Sequence, residues 1–272
     1  MKNLLTIAGS DSCGGAGIQA DIKTFSALGA YGLCVITAVT AQNTCGVCSV
    51  RDMDTEIVKD QINCLFEDIR IDAVKIGMVS NIEIIDVISE CLRDCHAQHI
   101  VVDPVMVSKS GCRLLRPQAE AELIRMLFPL AEVVTPNLFE AGVITGATVE
   151  TTDQMKQAAV KIHERGARAV VVKGGHLSGD AVDVVFDGRN FHYLTSHRIE
   201  TENTHGTGCT YSSAIAVYLA KGSPLLEAIG LAKEYVTGAI EHAIDLGRGT
   251  GPTGHFYDLY RKAEEGDGER RA

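Results

Sequence analysis

A glycine loop toward the carboxyl end carries the residue types best suited to chemistry. Residues 203–210 read Asn-Thr-His-Gly-Thr-Gly-Cys-Thr and run directly into an apolar pattern typical of a helix. Glycines one residue apart let backbone N–H groups turn toward one point, and the positive end of the helix reinforces that point. Gly206, Thr207 and Gly208 therefore predict an anion hole suited to a phosphoryl group in transfer, and Cys209 follows where it would meet an attacking hydroxyl. The alternative is a glycine-rich turn that caps a buried helix.

A second glycine loop stands near the amino end. Residues 4–8 form an apolar run typical of a buried strand, residues 9–17 are rich in glycine, and residues 18–28 have apolar side chains at helical spacing. A strand, a glycine loop and a helix in this order let a ligand approach the backbone closely. The loop is therefore a second candidate for ligand binding.

Two known nucleotide-binding motifs fit these loops poorly. Residues 15–20 match the dinucleotide pattern G-x-G-x-x-A, but that motif also requires an acidic residue at the end of the next strand. Gln42-Asn43-Thr44 stands there instead. Neither loop ends in Gly-Lys-Ser or Gly-Lys-Thr, as a P-loop requires. A nicotinamide-dependent dehydrogenase is therefore a disfavoured alternative.

Strands and helices alternate along the chain. The runs predicted to be strands are 4–8, 33–41, 73–76, 100–102, 132–135 and 169–173, followed by a hairpin over 181–186 and 191–194. The runs predicted to be helices are 18–28, 55–66, 82–92, 117–127, 152–165, 210–220 and 225–242. This order predicts an α/β fold with a central, mainly parallel sheet, helices on both faces and a small antiparallel hairpin near the carboxyl end. We expect a single domain over residues 1–262 and a frayed tail over 263–272.

The conspicuous motifs each follow a predicted strand. They are the loop 9–17, Gln42, Gly77-Met78, Asp103, Asn137 and Lys173-Gly174-Gly175. Ligands of open α/β sheets gather at the carboxyl ends of the strands. The sequence therefore predicts that these residues meet in one cleft.

Composition and charge narrow the class of protein. Hydrophobic residues make up 46% of the 272 residues, which suits a globular protein with a sizeable core. The net charge of -10 argues against nucleic acid or an anionic membrane as the main partner. The run 4–8 is too short for a signal-peptide core and no stretch is long enough to span a bilayer, so we expect a cytoplasmic protein.

The nine cysteines are expected to be reduced thiols in that compartment. A zinc site is left open as an alternative, with Cys45 and Cys48, Cys91 and Cys95, His96 and the nearby His99 as its candidate ligands. A four-residue spacing on a predicted helix suits ordinary half-buried cysteines better than the tight pairs of structural zinc sites.

Eight motifs, taken in order, carry a resemblance to a known family. They are Ala-Gly-Ser-Asp at 8–11, Gly-Gly-Ala-Gly-Ile-Gln-Ala-Asp at 14–21, Ala-Gln-Asn-Thr at 41–44, Lys-Ile-Gly-Met at 75–78, Val-Asp-Pro-Val-Met at 102–106, Thr-Pro-Asn-Leu-Phe-Glu-Ala at 135–141, Lys-Gly-Gly-His at 173–176 and His-Gly-Thr-Gly-Cys at 205–209. From Thr6 to about Pro252 the chain resembles the hydroxymethylpyrimidine and phosphomethylpyrimidine kinases of thiamine biosynthesis, within the ribokinase-like superfamily. The resemblance implies phosphorylation of 4-amino-5-hydroxymethyl-2-methylpyrimidine and of its monophosphate, with ATP and Mg²⁺ as cofactors.

The resemblance also implies roles for the residues of the loop toward the carboxyl end. Cys209 would be the catalytic residue, and its place at a helix start predicts a lowered thiol pKa, which a bound polyphosphate would raise again. Lys173, Thr207 and Gly208 would bind the phosphates of ATP, with Lys173 neutralising their charge. The alternative for Lys173 is a solvated lysine at a strand end.

Asn137 and Glu140 form an Asn-x-x-Glu pair at a predicted helix start. Glu140 is expected to hold Mg²⁺ directly or through waters, with Asp103 as a second ligand and Asn137 at the ATP site. The alternative is a capping pair, since asparagine and glutamate both suit a first helical turn.

For the pyrimidine, the resemblance points to Gly9, Ala16, Asp21, Gln42, Met78 and Val105. The amide of Gln42 offers a donor and an acceptor to an aminopyrimidine edge, and Asp21 offers an acceptor. Met78 and Val105 would enclose the flat ring.

Two other functions stay open at this point. Pyridoxal kinase is the nearest alternative, because the thiol-bearing branch of the superfamily includes enzymes that phosphorylate vitamin B6. A pyrimidine-binding protein without catalysis is the alternative of another class. The segments 108–113 and 177–180 are candidate flaps that would exclude water, and the superfamily suggests a homodimer that acts on a small molecule.

Overall fold

One sheet organises the part of the chain that the computed structural model describes, which is residues 1–106, 115, 117–175 and 179–271. Its strands are β1 (Asn3–Asp11), β2 (Tyr31–Asn43), β3 (Gly46–Asp52), β4 (Ala73–Ile76), β5 (Ile100–Val102), β6 (Val133–Val134), β7 (Ala169–Val172), β8 (Ala181–Phe186) and β9 (Phe191–Ser196). Their spatial order is β3-β2-β1-β4-β5-β6-β7-β8-β9. The strands from β2 to β7 in this order pair in parallel, whereas β3, β8 and β9 pair antiparallel. The predicted α/β class is confirmed.

Helices cover both faces of the sheet. They are α1 (Gly17–Ala27), α2 (Thr55–Asp68), α3 (Ile82–Asp94), α4 (Pro117–Leu127), α5 (Leu138–Thr145), α6 (Thr152–His163), α7 (Thr207–Ala220), α8 (Leu225–Glu241) and α9 (Tyr257–Arg271). Successive strand residues face opposite sides of a sheet. In β4, Val74 accordingly packs in the core with α2 to α6, and Ala73 packs in the core with α1, α7 and α8.

The chain changes direction beside β1. It passes from β1 to β2 on one side, returns through α2, and continues with β4 on the other side. Such a point in an open α/β sheet leaves a crevice beyond the carboxyl ends of the strands. The loops after β1 and β4 lie at this crevice, so the topology places the first glycine loop and Met78 at one site.

Three elements differ from the sequence-based expectation. β3 is an edge strand whose side chains are mostly exposed, so it lacks the apolar pattern of the central strands. α5 has eight residues and apolar side chains on most of its surface, which gives no amphipathic period. α9 (Tyr257–Arg271) is absent from the predicted helices, and its ion pairs include Asp258 with Lys262; the frayed tail over 263–272 stays a prediction.

Three further predictions concern a membrane span, the cysteines and the candidate flaps. No helix in the described ranges is long and apolar enough to cross a membrane. The eight cysteines within those ranges are unbridged, with Cys45 and Cys48 exposed at β3 and Cys91 and Cys95 at α3. The candidate flap at 108–113 lies outside the described residues, as do residues 177 and 178 of the second candidate flap.

Candidate active site

A cavity of about 550 Å³ opens at the carboxyl edge of the sheet. It brings together residues from both glycine loops and from the ends of β2, β4, β5, β6 and β7. Among the residues that the sequence singled out, those that line it are Gly9, Ala16, Gln42, Met78, Asp103, Val105, Asn137, Glu140, Lys173, Gly206, Thr207, Gly208 and Cys209. Asp21 does not line it. Residues from each motif predicted to converge thus meet in one cleft, whereas Asp21, a predicted pyrimidine contact, lies outside it.

The two glycine loops pack directly against each other. Gly206 has φ +80°, and a Cβ atom there would lie 1.7 Å from the carbonyl oxygen of Gly15. A Cβ atom on Gly15 would in turn lie 2.3 Å from the ring of His205. Only a hydrogen atom fits at these contacts, so both glycines are required for the two loops to approach each other. Gly206 is also required for its left-handed backbone conformation.

Asp11 occupies the amides of the first loop. Its carboxylate accepts hydrogen bonds from the backbone N–H groups of Cys13 (2.8 Å), Gly15 (3.1 Å) and Ala16 (2.9 Å). It also accepts from His205 Nε2 at 2.8 Å. Burial opposes ionisation of Asp11, but these donors lower its pKa below the usual value. Three N–H groups of the first loop therefore bond to Asp11, and the start of α7 is the predicted donor of N–H groups to an anion.

Asp11 and His205 are site residues that the sequence analysis did not single out. His205 Nε2 also lies 3.3 Å from Nε2 of Gln42, so the pair connects both loops to the predicted pyrimidine contact. In the sequence, the signal for Asp11 is that of a turn, because an aspartate often accepts hydrogen bonds from backbone N–H groups a few residues after it. Its partner histidine is 194 residues away, so only the fold reveals the pair.

The predicted anion hole lies at the amino end of α7. Gly206 caps this helix in the left-handed conformation, and Thr207 is its first residue. The first N–H groups of a helix lack intrahelical acceptors and carry the positive end of its dipole. The hydroxyl of Thr207 turns back to donate to the carbonyl oxygen of Thr204 at 2.8 Å. This end of α7 lines the cavity and suits a phosphate oxygen.

Lys173 brings a positive charge to the same point. A Cβ atom on Gly208 would lie 3.2 Å from Lys173 Nζ, so the ammonium group borders the anion hole. Lys173 Nζ donates to Asp103 Oδ1 at 2.8 Å, and Thr135 donates to the same oxygen at 3.0 Å. Burial opposes both charges, but their mutual attraction raises the pKa of Lys173 and lowers the pKa of Asp103. Lys173 is therefore held charged rather than solvated at a strand end.

Asn137 and Glu140 form the capping box of α5. The Asn137 side chain accepts from the Glu140 N–H at 2.9 Å, and Glu140 Oε2 accepts from the Asn137 N–H at 2.8 Å. The capping alternative is thus observed, and it places Glu140 at the cavity wall beside Asp103. Burial raises the pKa of Glu140 to about 7, with Lys173 opposing the shift and Asp103 adding to it.

Carboxylate oxygens beside an anion hole are a donor set that suits Mg²⁺. The described residues contain no group of three or more histidine, cysteine, aspartate or glutamate side chains arranged to hold a metal ion. Mg²⁺ at nucleotide sites needs no such group, because one or two carboxylates suffice beside phosphates and waters. Glu140 and Asp103 fit that pattern, and within the described part of the chain Asp103 Oδ2 receives no hydrogen bond.

The predicted lowering of the Cys209 thiol pKa is wrong. The helix dipole predicts a lowered thiol pKa, but burial raises the pKa of Cys209 to about 11. Lys75 lowers the value, and Asp21 and Asp103 raise it. The thiol lines the cavity floor and is only partly exposed, so desolvation outweighs the dipole. In the absence of ligands the side chain is a thiol at neutral pH.

The predicted pyrimidine contacts separate into two groups. A Cβ atom on Gly9 would lie 2.4 Å from Met78 Cε, so the thioether packs onto bare backbone and forms one wall with Val105 nearby. Asp21, by contrast, has no exposed surface and accepts from Thr6, Lys75 and Ser213. Asp21 therefore lies beneath the cavity, and its carboxylate is already hydrogen-bonded to these three side chains.

The fold and the site together define a class of protein. A mainly parallel sheet carries at one edge a helix amino end suited to an anion, a partly buried lysine, two carboxylates and a thiol, which is the arrangement of a ribokinase-like phosphotransferase. A sequence model of the family described as phosphomethylpyrimidine kinase matches residues 11–254. The chain belongs to this phosphomethylpyrimidine kinase family.

Similar proteins agree with this assignment. The hydroxymethylpyrimidine/phosphomethylpyrimidine kinase of Rhizobium meliloti is 55% identical over 261 residues, which are 94% of this chain and 98% of that enzyme. The thiamine biosynthesis bifunctional protein ThiED of Geobacter sulfurreducens is 52% identical over 255 residues; the match covers 93% of this chain and 52% of ThiED, so the chain spans about half of that protein. The crystal structure of Bacillus subtilis pyridoxal kinase with ADP superposes with a TM-score of 0.88 at 42% identity, covering 94% of this chain and 97% of that one.

Proposed function

We propose that the protein transfers the γ-phosphoryl group of ATP to the hydroxymethyl oxygen of 4-amino-5-hydroxymethyl-2-methylpyrimidine, and then phosphorylates the monophosphate to the diphosphate for thiamine biosynthesis. The observation that carries the proposal is the meeting of the anion hole, Lys173, Cys209 and Gln42 in one cavity. The name of the Rhizobium meliloti relative, which covers both phosphorylations, supports the same activity.

The pyrimidine is held by one polar and two apolar contacts. The amide of Gln42 pairs its donor and acceptor with the aminopyrimidine edge. Met78 and Val105 pack on the flat ring, and Gly9 leaves room for it against the backbone. Ala16, the N-cap residue of α1, lies at the same wall. Cys209 lines the same cavity, where it can meet the hydroxymethyl group of the bound ring.

The phosphoryl transfer uses the second loop. The first N–H groups of α7 bind the phosphate oxygens on which charge develops, and Lys173 neutralises that charge. In its thiolate form, Cys209 accepts the proton of the substrate hydroxyl as the hydroxyl oxygen bonds to the γ-phosphorus and the bond from that phosphorus to the departing ADP oxygen breaks. Asn137 and Thr207 contact the nucleotide at the same cavity wall.

Mg²⁺ supplies positive charge to the phosphate oxygens when it is bound with the nucleotide. Glu140 holds it directly or through waters, and Asp103 Oδ2 is a second point of attachment. Asp103 at the same time orients Lys173 through Oδ1, which keeps the ammonium group at the phosphates.

Replacing Glu140 with glutamine is expected to raise the Mg²⁺ concentration for half-maximal velocity by about tenfold or more. Glutamine keeps the capping box, because its amide oxygen accepts the Asn137 N–H, so the loss reflects charge. Steady-state rates over a magnesium titration provide the measurement. Glu83→Gln, in the exposed first turn of α3, is the matched control. Superimposable magnesium curves for Glu140→Gln and the parent enzyme would refute the metal role.

The function itself is tested by ADP release with Mg-ATP, offering the hydroxymethylpyrimidine and pyridoxal separately and identifying products by mass. We expect a much higher kcat/KM for the pyrimidine, with the monophosphate and then the diphosphate appearing. A preference for pyridoxal would keep the mechanism and overturn the substrate. No turnover with either compound would remove the catalytic role of Cys209 and favour a pyrimidine-binding protein without catalysis.

Pyridoxal kinase is the second candidate function. The Bacillus subtilis protein named pyridoxal kinase, crystallised with ADP, shares the fold at 42% identity, so the fold is compatible with that activity. Gln42 favours the pyrimidine, since a pyridine ring lacks the amino edge that the amide pairs with.

Two further expectations stay predictions. The protein is expected to form a homodimer, and the exposed edge strand β3 leaves one side of the sheet open to pairing. It is also expected to act in the cytoplasm.

A further inference from the structure

A buried charge lies under the cavity and has no role in the mechanism above. Lys75 has no exposed surface, although lysine is rarely fully buried. It alternates with Val74 along β4 and so shares the face of Ala73, which carries α1 and α7. Gly77 leaves the space for the ammonium group, since a Cβ atom there would lie 2.7 Å from Lys75 Nζ.

Asp21 connects this charge to the helix that carries Cys209. Asp21 Oδ2 accepts from Lys75 Nζ at 2.9 Å and from Thr6 Oγ1 at 2.6 Å. Asp21 Oδ1 accepts from Ser213 Oγ at 2.7 Å. Ser213 stands four residues after Cys209 on α7, and residues at that spacing share one face of a helix. The face of α7 that carries Cys209 is thus turned toward the Lys75–Asp21 pair.

We propose that Lys75 and Asp21 are positioning residues that act on the reaction through Cys209. Lys75 supplies the positive charge that stabilises the thiolate form of Cys209, which then accepts the proton of the substrate hydroxyl. Asp21 holds the Lys75 ammonium group in place below α7. The negative charge of Asp21 also weakens the stabilisation that Lys75 gives to the thiolate. This inference rests on the proposed proton-transfer role of Cys209.

The charges that face Cys209 come from four elements. They are Lys75 on β4, Asp21 on α1, Asp103 after β5 and Lys173 after β7. Burial opposes the charge of Lys75, but Asp21, Cys209 and Asp103 raise its pKa above the usual value, so it stays protonated. Of the groups around Cys209, Lys75 has the largest charge effect on the thiol pKa, and it lowers that pKa. Removing Lys75 therefore disfavours the thiolate even where Asp21 becomes protonated in response.

The test measures the alkylation rate of Cys209 by iodoacetamide at about pH 8 in the full chain without ligands. The modified Cys209 peptide is quantified by mass spectrometry, because the chain has nine cysteines. Lys75→Gln keeps a hydrogen-bond donor for Asp21 and removes the charge. We expect it to slow alkylation about three- to fourfold for each unit by which the thiol pKa rises, since the thiolate fraction falls tenfold while the more basic thiolate is a better nucleophile. Asp21→Asn is expected to change the rate in the opposite direction.

Two variants separate this charge effect from damage to the fold. Lys75→Arg keeps the charge and is expected to stay near the parent rate, whereas Lys2→Gln removes a charge from a partly exposed pair with Asp72 and is expected to change nothing. A loosened fold would expose Cys209 and speed its alkylation in Lys75→Gln. An unchanged or faster rate in that variant overturns the proposal. Should Lys75→Gln not fold, Asp21→Asn decides the matter, and a slower or unchanged rate there overturns it.

The same variants separate this inference from the proposed function. The alkylation rate requires no substrate, so it reports on Lys75 even if the hydroxymethylpyrimidine is not phosphorylated. With turnover, the pH profile of kcat is expected to move to higher pH in Lys75→Gln and not in Lys75→Arg. If the protein does not phosphorylate the pyrimidine but the variants differ in alkylation rate as expected, the proposed substrate is wrong and the role of Lys75 and Asp21 stands.

Discussion

Replacing Cys209 with alanine is expected to lower kcat by about 10²–10⁴-fold and to leave the KM values for ATP and the pyrimidine near those of the parent enzyme. The thiol faces the cavity beside the anion hole, so it acts on the substrate hydroxyl as the proton leaves. The N–H groups of α7 and Lys173 remain in the variant, and they account for the residual rate. Steady-state ADP release at saturating substrates provides the measurement.

The pH profile adds a second readout for Cys209. Because burial raises its thiol pKa to about 11, the thiolate fraction in the absence of ligands grows tenfold per unit across about pH 7–9. We therefore expect kcat of the parent enzyme to rise over this range and kcat of Cys209→Ala to lose that rise. Cys64→Ala, at an exposed cysteine of α2, is the control and should keep both rate and profile. A Cys209→Ala enzyme with the parent kcat would exclude the thiol from proton transfer.

Replacing Gly206 with alanine is expected to destabilise the fold by about 3 kcal/mol or more and to lower kcat by at least ~100-fold. The new methyl group would lie 1.7 Å from the carbonyl oxygen of Gly15, and φ +80° is strained for alanine. Relief of this overlap requires the two glycine loops to separate, which displaces the N–H groups of the anion hole. Thermal unfolding and ADP release give the two values.

Gly222→Ala is the matched control for that experiment. Gly222 has φ +93°, but no atom lies within 4 Å of the point that an alanine methyl group would occupy. Alanine there meets only the backbone cost of about 1–2 kcal/mol. The difference between the stability losses of the two variants therefore isolates the cost of breaking the contact between the loops from the cost of the backbone conformation. Equal losses of stability with full activity in both would mean that the loops need not touch for catalysis.

Local features of the sequence predicted much of the site. A strand, a glycine loop and a helix have a recognisable pattern within about twenty residues, and Gly206 with Cys209 belongs to a glycine loop that opens a helix in the same way. The parallel order of strands then places Asp103, Asn137 and Lys173 at one edge, because the carboxyl ends of parallel strands lie together. Short or edge elements, such as α5 and β3, escaped prediction because their side chains show no clear period.

By itself, therefore, the sequence determined the α/β class, the family resemblance and many of the residues that line one cavity. Only the tertiary structure decided how their charges are paired. Asp11 meets His205 across 194 residues, and Asp21 meets Lys75 across 54. It also decided that Asp21 lies beneath the cavity and that burial, not the helix dipole, sets the pKa of Cys209. The physical reason is that desolvation and charge pairing depend on every group within a few ångströms, whereas sequence patterns report only neighbours along the chain.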